Sequence, residues 1–245
     1  MARQPRMFKG GVVYHVMNRA SARAKVFLKD ADYAAFEAVL GQAVARFGMR
    51  VLSYVVMPNH FHLVLWPAKG QGATVSRFMQ WLQQTHTQRW HSRYHNAGEG
   101  RLYQGRFRAF PVQSGFVDWQ HVRRVCRYVE RNALRAGLVK RGEGWRWGSL
   151  WRRMHGTAEE KRMLAAWPQG AYPGDGKWVE LVNRAMAGKE EQALRESLAR
   201  GRPFGEDKWV AAAAVGLGLG HTLRGRGRPR KHADGPAKNL EEGGE

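Results

Sequence analysis

The chain has 245 residues, with 41 Lys and Arg against 20 Asp and Glu and a formal net charge of +21. That length allows one or two domains with a sizeable core, and 43% hydrophobic residues, with 11% aromatic, exclude a wholly disordered chain. The excess charge is uneven: residues 1–150 hold 24 Lys/Arg against 7 Asp/Glu, a net of +17, while residues 151–245 hold 17 against 13, a net of +4. Positive charge concentrated on an aromatic-rich part points to a polyanionic partner, with nucleic acid first. Seven carboxylates in 150 residues leave little for a carboxylate metal cage or a paired-carboxylate hydrolase. The single cysteine, Cys126, excludes an internal disulfide and a Cys-based zinc site. A reducing, cytoplasmic setting fits. Met1–Gly11 is basic without the apolar run of a secretory signal. The longest apolar stretch, Trp209–Gly220, is 12 residues, too short to cross a membrane. The chain reads as soluble, with no membrane partner.

In chain order, Val12–Met17 reads as a strand, followed by a short extended piece at Lys25–Leu28. Asp30 is placed to cap a helix in which Tyr33, Phe36, Leu40, Val44 and Phe47 recur at helical spacing, and Gly48 to end it. Val51–Met57 and His60–Trp66 are β-rich runs around Pro58-Asn59, the pattern of a hairpin. A second helix carries Val75, Phe78, Met79, Leu82 and Trp90. Tyr103–Gln113 alternates as a basic strand, and Phe116–Leu134 is helical with Val122, Val125 and Val129 on one face and Gly137 beyond its end. This order suits an α+β fold, a mostly antiparallel sheet with helices packed on it. After about Trp151 the character changes. Glu159–Leu164, Trp178–Ala187, Glu190–Ala199 and Asp207–Leu219 read as short helices, interrupted at Gly201–Gly205. The predicted organisation is a main domain over 1–150, an accessory helical region over 151–220 and a tail over 221–245. That tail is basic and then acidic, with the composition of a disordered segment.

Two local patterns carry chemistry. In Met57-Pro58-Asn59-His60-Phe61-His62, residues two apart on a strand share a face, so His60 and His62 stand side by side while Phe61, Leu63 and Leu65 turn to the core. Adjacent imidazoles form half of a metal site. Taken alone, such a pair is more often two hydrogen-bonded histidines on a polar sheet face. In Arg127-Tyr128-Val129-Glu130-Arg131-Asn132, Tyr128 and Asn132 lie one helical turn apart, on a face next to the valine stripe. Alone, that pair is more often a core-boundary tyrosine and an asparagine near a helix end. Arg123, Arg124, Arg127 and Arg131 nearby form either a solvated face or a phosphate-binding one.

Together the two segments resemble the Y1 (IS200-like) transposases of the HUH endonuclease superfamily: His-hydrophobic-His after Met-Pro-Asn, then Tyr-x-x-x-Asn, its Tyr 66 residues beyond the second His. The resemblance spans about residues 8–150 and includes Tyr14-His15-Val16 and Gln104-Gly105-Arg106-Phe107. Gly201–Gly205 and the Arg-Gly-Arg-Pro-Arg tail resemble more particularly the REP-associated tyrosine transposases. Ala133 departs from relatives with Pro after the Asn, outside the ligand set. The resemblance implies a βαββαβα, ferredoxin- or RRM-like core. It implies Tyr128 as nucleophile and His60, His62 and Asn132 as ligands of a divalent metal, Mg²⁺ or Mn²⁺. It also implies a single-stranded DNA substrate beside a palindromic hairpin, cleaved and rejoined through a 5′-phosphotyrosine, with the protein acting as a monomer or homodimer in the cytoplasm at the nucleoid. Three neutral ligands leave the cation its full charge and open positions. Arginine outnumbers lysine 19 to 5 in residues 1–150, which suits bidentate phosphate contacts. Arg106, Arg108, Arg124, Arg127 and Arg131, with Arg226, Arg228 and Arg230 of the tail, are the candidate DNA contacts.

Two other classes compete. A non-catalytic DNA-binding protein derived from a transposase is opposed by the intact Tyr128, His60, His62 and Asn132. A zinc metallohydrolase built on His60 and His62 lacks a carboxylate base or third strong ligand in the same segment.

Overall fold

The computed structural model describes residues 6–95, 98, 100–115, 119–168, 172 and 174–224. Its strands are β1 (Val13–Arg19), β2 (Arg50–Met57), β3 (His60–Trp66) and β4 (Arg108–Val112), joined in one sheet in the order β2-β3-β1-β4 with every neighbour antiparallel. The Met57–His60 pair closes the predicted hairpin over Pro58 and Asn59. In the central pair Arg19 lies opposite His60, Met17 opposite His62 and His15 opposite Val64. Alternation along a strand therefore sets His15, Met17, Arg19, His60 and His62 on one face.

Both faces are covered. Helices α1 (Asp30–Phe47) and α2 (Thr74–Tyr94) bury Phe36, Leu40, Phe78, Met79 and Leu82 against Tyr54, Phe61, Leu63 and Leu65. On the other face α3 (Gln120–Glu130) lays Val122, Val125 and Val129 over Leu52, Val55, Val64, Phe110 and Val112, as its spacing predicts. Two-sided burial is why these strands read as nearly continuous apolar runs. Each large side chain so buried contributes roughly 1.5–3 kcal/mol. Helix α1 starts one residue earlier in its capping than expected. Lys29 is the cap, and Asp32 rather than Asp30 accepts from the backbone N–H of Leu28 (3.0 Å) and Lys29 (3.1 Å). Gly48 ends the helix at φ +57°, as predicted.

The extended piece expected at Lys25–Leu28 lies outside any strand, and Val26 and Phe27 both donate backbone hydrogen bonds to Pro58 O. Two expectations are corrected. The basic strand is shorter than Tyr103–Gln113. Tyr103 makes an isolated bridge to Ala20 while its hydroxyl reaches His86 (2.8 Å), and Gly105 takes a positive φ, so the continuous ladder starts only at Arg108. The last helix of the core divides into α3 and α4 (Asn132–Arg135), with Arg131 between them at near-helical angles. The predicted start of that helix at Phe116 lies outside the described residues.

Beyond the core come α5 (Ser149–His155), which the sequence reading missed, α6 (Ala158–Lys161), α7 (Asp175–Asn183), α8 (Gly188–Arg200) and α9 (Asp207–Gly216). Helices α7 and α8 and the loop at Phe204 pack on the α3 side through Trp178, Val182, Leu194 and Phe204, while Arg152 of α5 pairs with buried Glu37 of α1. Buried Glu130 ties this layer together by accepting from Ser149 (2.5 Å), Ser53 (3.2 Å) and the Trp178 indole N–H (2.6 Å). The sheet's outer edges are also occupied. Trp147 O takes the N–H of Val56, and Phe204 exchanges hydrogen bonds with Pro111 and Gln113 beside β4. Edge strand β4 thereby tolerates Pro111, which has no N–H to donate. The tail from residue 225 on, with Arg226, Arg228 and Arg230, lies outside the described residues.

Candidate active site

The strands bring three imidazoles together. His60 and His62 are neighbours on β3 with ring centres 5.1 Å apart, and His15 of β1 reaches diagonally so that its Nε2 lies 2.9 Å from His62 Nδ1. His60 turns its own Nδ1 to Asn59 Oδ1 at 2.7 Å. Nδ1 is thus committed in both β3 rings, and Nε2 is the nitrogen each can offer. Burial holds all three rings neutral. It lowers His15 to about 3 and His60 to about 4, with Arg19 and Arg135 adding repulsion at His60. His62 is pushed well below the ordinary range by burial, then by His15 and His60. Neutral imidazole is the form that binds metal.

The helix side supplies the second half. The Tyr128 ring stands edge-on to His62 and His15, at 6.3 and 6.4 Å between centres. Near-helical geometry at Arg131 keeps Tyr128 and Asn132 one turn apart, and Asn132 Nδ2 donates to the carbonyls of Tyr128 (3.0 Å) and Val129 (3.2 Å). That anchors the carboxamide with its oxygen turned the other way. Arg135 then joins the two groups. Its Nη1 donates to the Tyr128 hydroxyl at 3.2 Å, its Nη2 to Asn132 Oδ1 at 2.7 Å, and its guanidinium carbon lies 4.8 Å from the centre of the Tyr128 ring. Glu191 of α8 balances the charge at 2.9 Å.

This donor set fits a divalent cation that keeps open positions. It comprises two neutral imidazole nitrogens and a carboxamide oxygen whose second lone pair Arg135 leaves available. Among the described residues no three His, Cys, Asp or Glu side chains gather at metal-binding separations. The set is therefore defined with Asn132 or not at all.

The predicted DNA contacts separate into groups. Arg106 and Arg108 line a cleft of about 650 Å³ with Arg19, Arg101, Gln104 and Arg195. Through Arg19, opposite His60, this cleft adjoins the imidazoles. The helix arginines point elsewhere. Arg124 pairs with Glu190 at 3.0 Å. Arg127 donates to the carbonyls of Leu181 (2.7 Å), Arg184 (2.8 Å) and Ala185 (3.1 Å), and Arg131 to those of Val182 (2.7 Å) and Asn183 (2.8 Å). These five acceptors sit at the C-terminal end of α7, where carbonyls lack helical partners. Arg127 and Arg131 therefore hold α7 against α3. The sequence reading also passed over His15 as an individual residue, Arg19 and Arg135. Arg135 carried a signal, lying three residues past Asn132 and seven past Tyr128 on one helical face.

Residues 9–132 match the family profile described as IS200-like transposase, a span of about half the chain that contains His60, His62, Tyr128 and Asn132. No curated protein matches the chain. Among solved structures, a REP-associated tyrosine transposase bound to a REP hairpin is 18% identical and superposes with a TM-score of 0.52, covering 76% of this chain and 93% of that one. A protein of Deinococcus radiodurans R1 with a provisional transposase name is 17% identical, with a TM-score of 0.37 over 53% of this chain and 96% of that one. The first of these shows the same α+β fold, and with the family match the chain belongs to the IS200-like transposases.

Proposed function

We propose that this transposase cleaves and rejoins single-stranded DNA beside palindromic, REP-like hairpins, with Tyr128 as nucleophile and His60, His62 and Asn132 holding Mg²⁺ or Mn²⁺. The observation that carries the reading is the junction at Arg135. One guanidinium joins the Tyr128 hydroxyl to the Asn132 oxygen, beside the paired imidazoles of β3. A bound cation supplies charge that polarises the scissile phosphate. The chain's own residues do the rest. Tyr128 Oη attacks phosphorus, the P–O3′ bond breaks, the 3′-oxygen leaves as a hydroxyl with a proton from solvent, and the phenol proton passes to solvent. The product is a 5′-phosphotyrosine. Arg135 places positive charge against the phenolate as it forms. Attack by a 3′-hydroxyl on the phosphotyrosine reverses these bond changes and returns the tyrosine, so strands rejoin without an external energy source.

Arg19, Arg106 and Arg108 are assigned to phosphates of the entering strand, and the structural likeness to a hairpin-bound REP-associated transposase supports a hairpin substrate. Residues 1–150 act as the catalytic part, 151–220 as the accessory region and 221–245 as a basic, then acidic tail, in a protein working at cytoplasmic DNA. The test is covalent trapping. Single-stranded hairpin DNA labelled at its 3′ end should become linked to the protein with Mg²⁺ or Mn²⁺ and stay free with chelator. Binding without any adduct would leave a DNA-binding protein that has lost its chemistry.

A further inference from the structure

His15 is one of the deepest polar side chains of the site, 1% exposed on a strand whose neighbours Val13, Tyr14 and Val16 are all core. Its ring is fixed on one side by Phe110, 4.8 Å away between centres, and reaches His62 on the other. Nε2 is engaged with His62 Nδ1, but Nδ1 of His15 has no hydrogen-bond partner among the described residues. Leaving a buried polar atom unpaired costs about 1–3 kcal/mol. A phenylalanine or leucine would fill this space without that cost. Packing therefore does not account for a histidine here.

Two neutral imidazoles share a single proton between them. If His15 donates from Nε2, His62 accepts at Nδ1 and carries its own proton on Nε2, the nitrogen that would have to bind a cation. If His15 accepts at Nε2, His62 donates from Nδ1 and its Nε2 bears a lone pair. Only the second arrangement is competent for a ligand, and it places the unpaired N–H of His15 at Nδ1, the atom found without a partner. We propose that His15 is the positioning residue of the site: its Nε2 accepts the Nδ1 proton of His62, fixing both the tautomer and the ring plane that present His62 Nε2 to the cation. This rests on the reading of His62 as a ligand. Such outer partners orient and sharpen the basicity of a ligating imidazole.

The test uses the full-length protein without DNA and Mn²⁺ alone as the probe. Free Mn²⁺ is counted by electron paramagnetic resonance as protein is added, for the wild type and for His15→Phe, His15→Gln and His62→Ala. His15→Phe keeps the ring and removes the acceptor, and Mn²⁺ affinity is expected to fall about 10- to 100-fold. His15→Gln puts a carboxamide oxygen near the same place and should recover most of that loss. In the metal-free wild type, ring-nitrogen NMR should find the His62 proton on Nδ1. A proton on Nε2 instead would overturn the proposal even if His15→Phe fails to fold. Wild-type affinity in His15→Phe, with binding lost in His62→Ala, would overturn the role of His15 and leave the ligand reading standing. Unchanged affinity in His62→Ala would remove the ligand reading and this inference with it.

Discussion

Arg135 donates to the Tyr128 hydroxyl and the Asn132 carboxamide from two nitrogens of one rigid fork. Lysine, a point charge on a flexible stem, cannot span both acceptors. Arg135→Ala is therefore expected to slow single-turnover adduct formation about 10- to 100-fold, the worth of a charged hydrogen bond. DNA affinity should change far less, and Arg135→Lys should recover only part of the rate. Comparing adduct kinetics with equilibrium binding on the same variants checks this, and equal losses in both would assign Arg135 to the DNA contact. Another residue-scale expectation concerns His86, away from the imidazole pair. It is buried between Phe27 and Phe36, its Nδ1 meets the Tyr103 hydroxyl at 2.8 Å, and burial lowers it to about 4. The unfolded chain takes up this proton near 6.5 and the folded one does not. Stability is thus full above pH 6.5 and lost as pH falls from there toward about 4, at a slope of ~1.4 kcal/mol per pH unit for this one group. Denaturant melts between pH 7 and 4.5 should fall less steeply for His86→Gln than for the wild type. Of the candidate site residues, His60, His62, Tyr128 and Asn132 could be proposed from the sequence because each pair is local, two apart on a strand or four apart on a helix. The link from His15 to His62 was not, since it depends on which strands pair and in what register.

At the scale of elements, local periodicity located the hairpin and α1 to within a residue or two and placed the apolar stripe of α2, because their apolar spacing and turn residues agree with the final packing. It failed where a distant partner decides. The basic strand is interrupted between the Tyr103 bridge to Ala20 and Arg108, where Gly105 takes a positive φ, and Arg127 of α3 and Arg131 just after it are drawn to carbonyls some 50 residues away in sequence. A run of arginines on a helix in a basic chain reads as a nucleic-acid face, yet two of them complete the end of α7. That distinction is measurable. Arg127→Met or Arg131→Met should each cost about 1.5–3 kcal/mol of stability by stranding carbonyls, while leaving the salt dependence of DNA binding unchanged. Arg108→Ala should do the reverse, with little loss of stability and a reduction of ~0.7 in the slope of log K against log[salt], one single-strand phosphate contact. Melting curves and salt titrations of the three variants separate the roles. A reduced salt slope in Arg127→Met would return that residue to the DNA surface.

The described residues form a sheet buried on both sides, with α1 and α2 beneath and α3, α7 and α8 above. The α+β class followed from the order of elements, whereas the depth at which residues beyond 150 join the core did not. Trp178 is fully buried there, and Glu130, Ser53 and Ser149 form with it a network that spans the two parts of the chain. One consequence is that α3, which carries Tyr128, the proposed nucleophile, is clamped between the sheet and α7, so the Tyr128 ring is held beside the histidines. Among the described residues no helix is long and apolar enough to cross a membrane, and a cleft rich in arginine opens beside the imidazoles. The most direct measurement traps the adduct on single-stranded hairpin DNA with Mg²⁺ or Mn²⁺, trims the DNA with nuclease, and locates the added nucleotide by peptide mass spectrometry. The predicted result is a 5′-linked nucleotide on the peptide carrying Tyr128, and no adduct from Tyr128→Phe at DNA concentrations that saturate binding. A nucleotide on the peptide of Tyr14, Tyr54 or Tyr103, or an undiminished adduct from Tyr128→Phe, would contradict it.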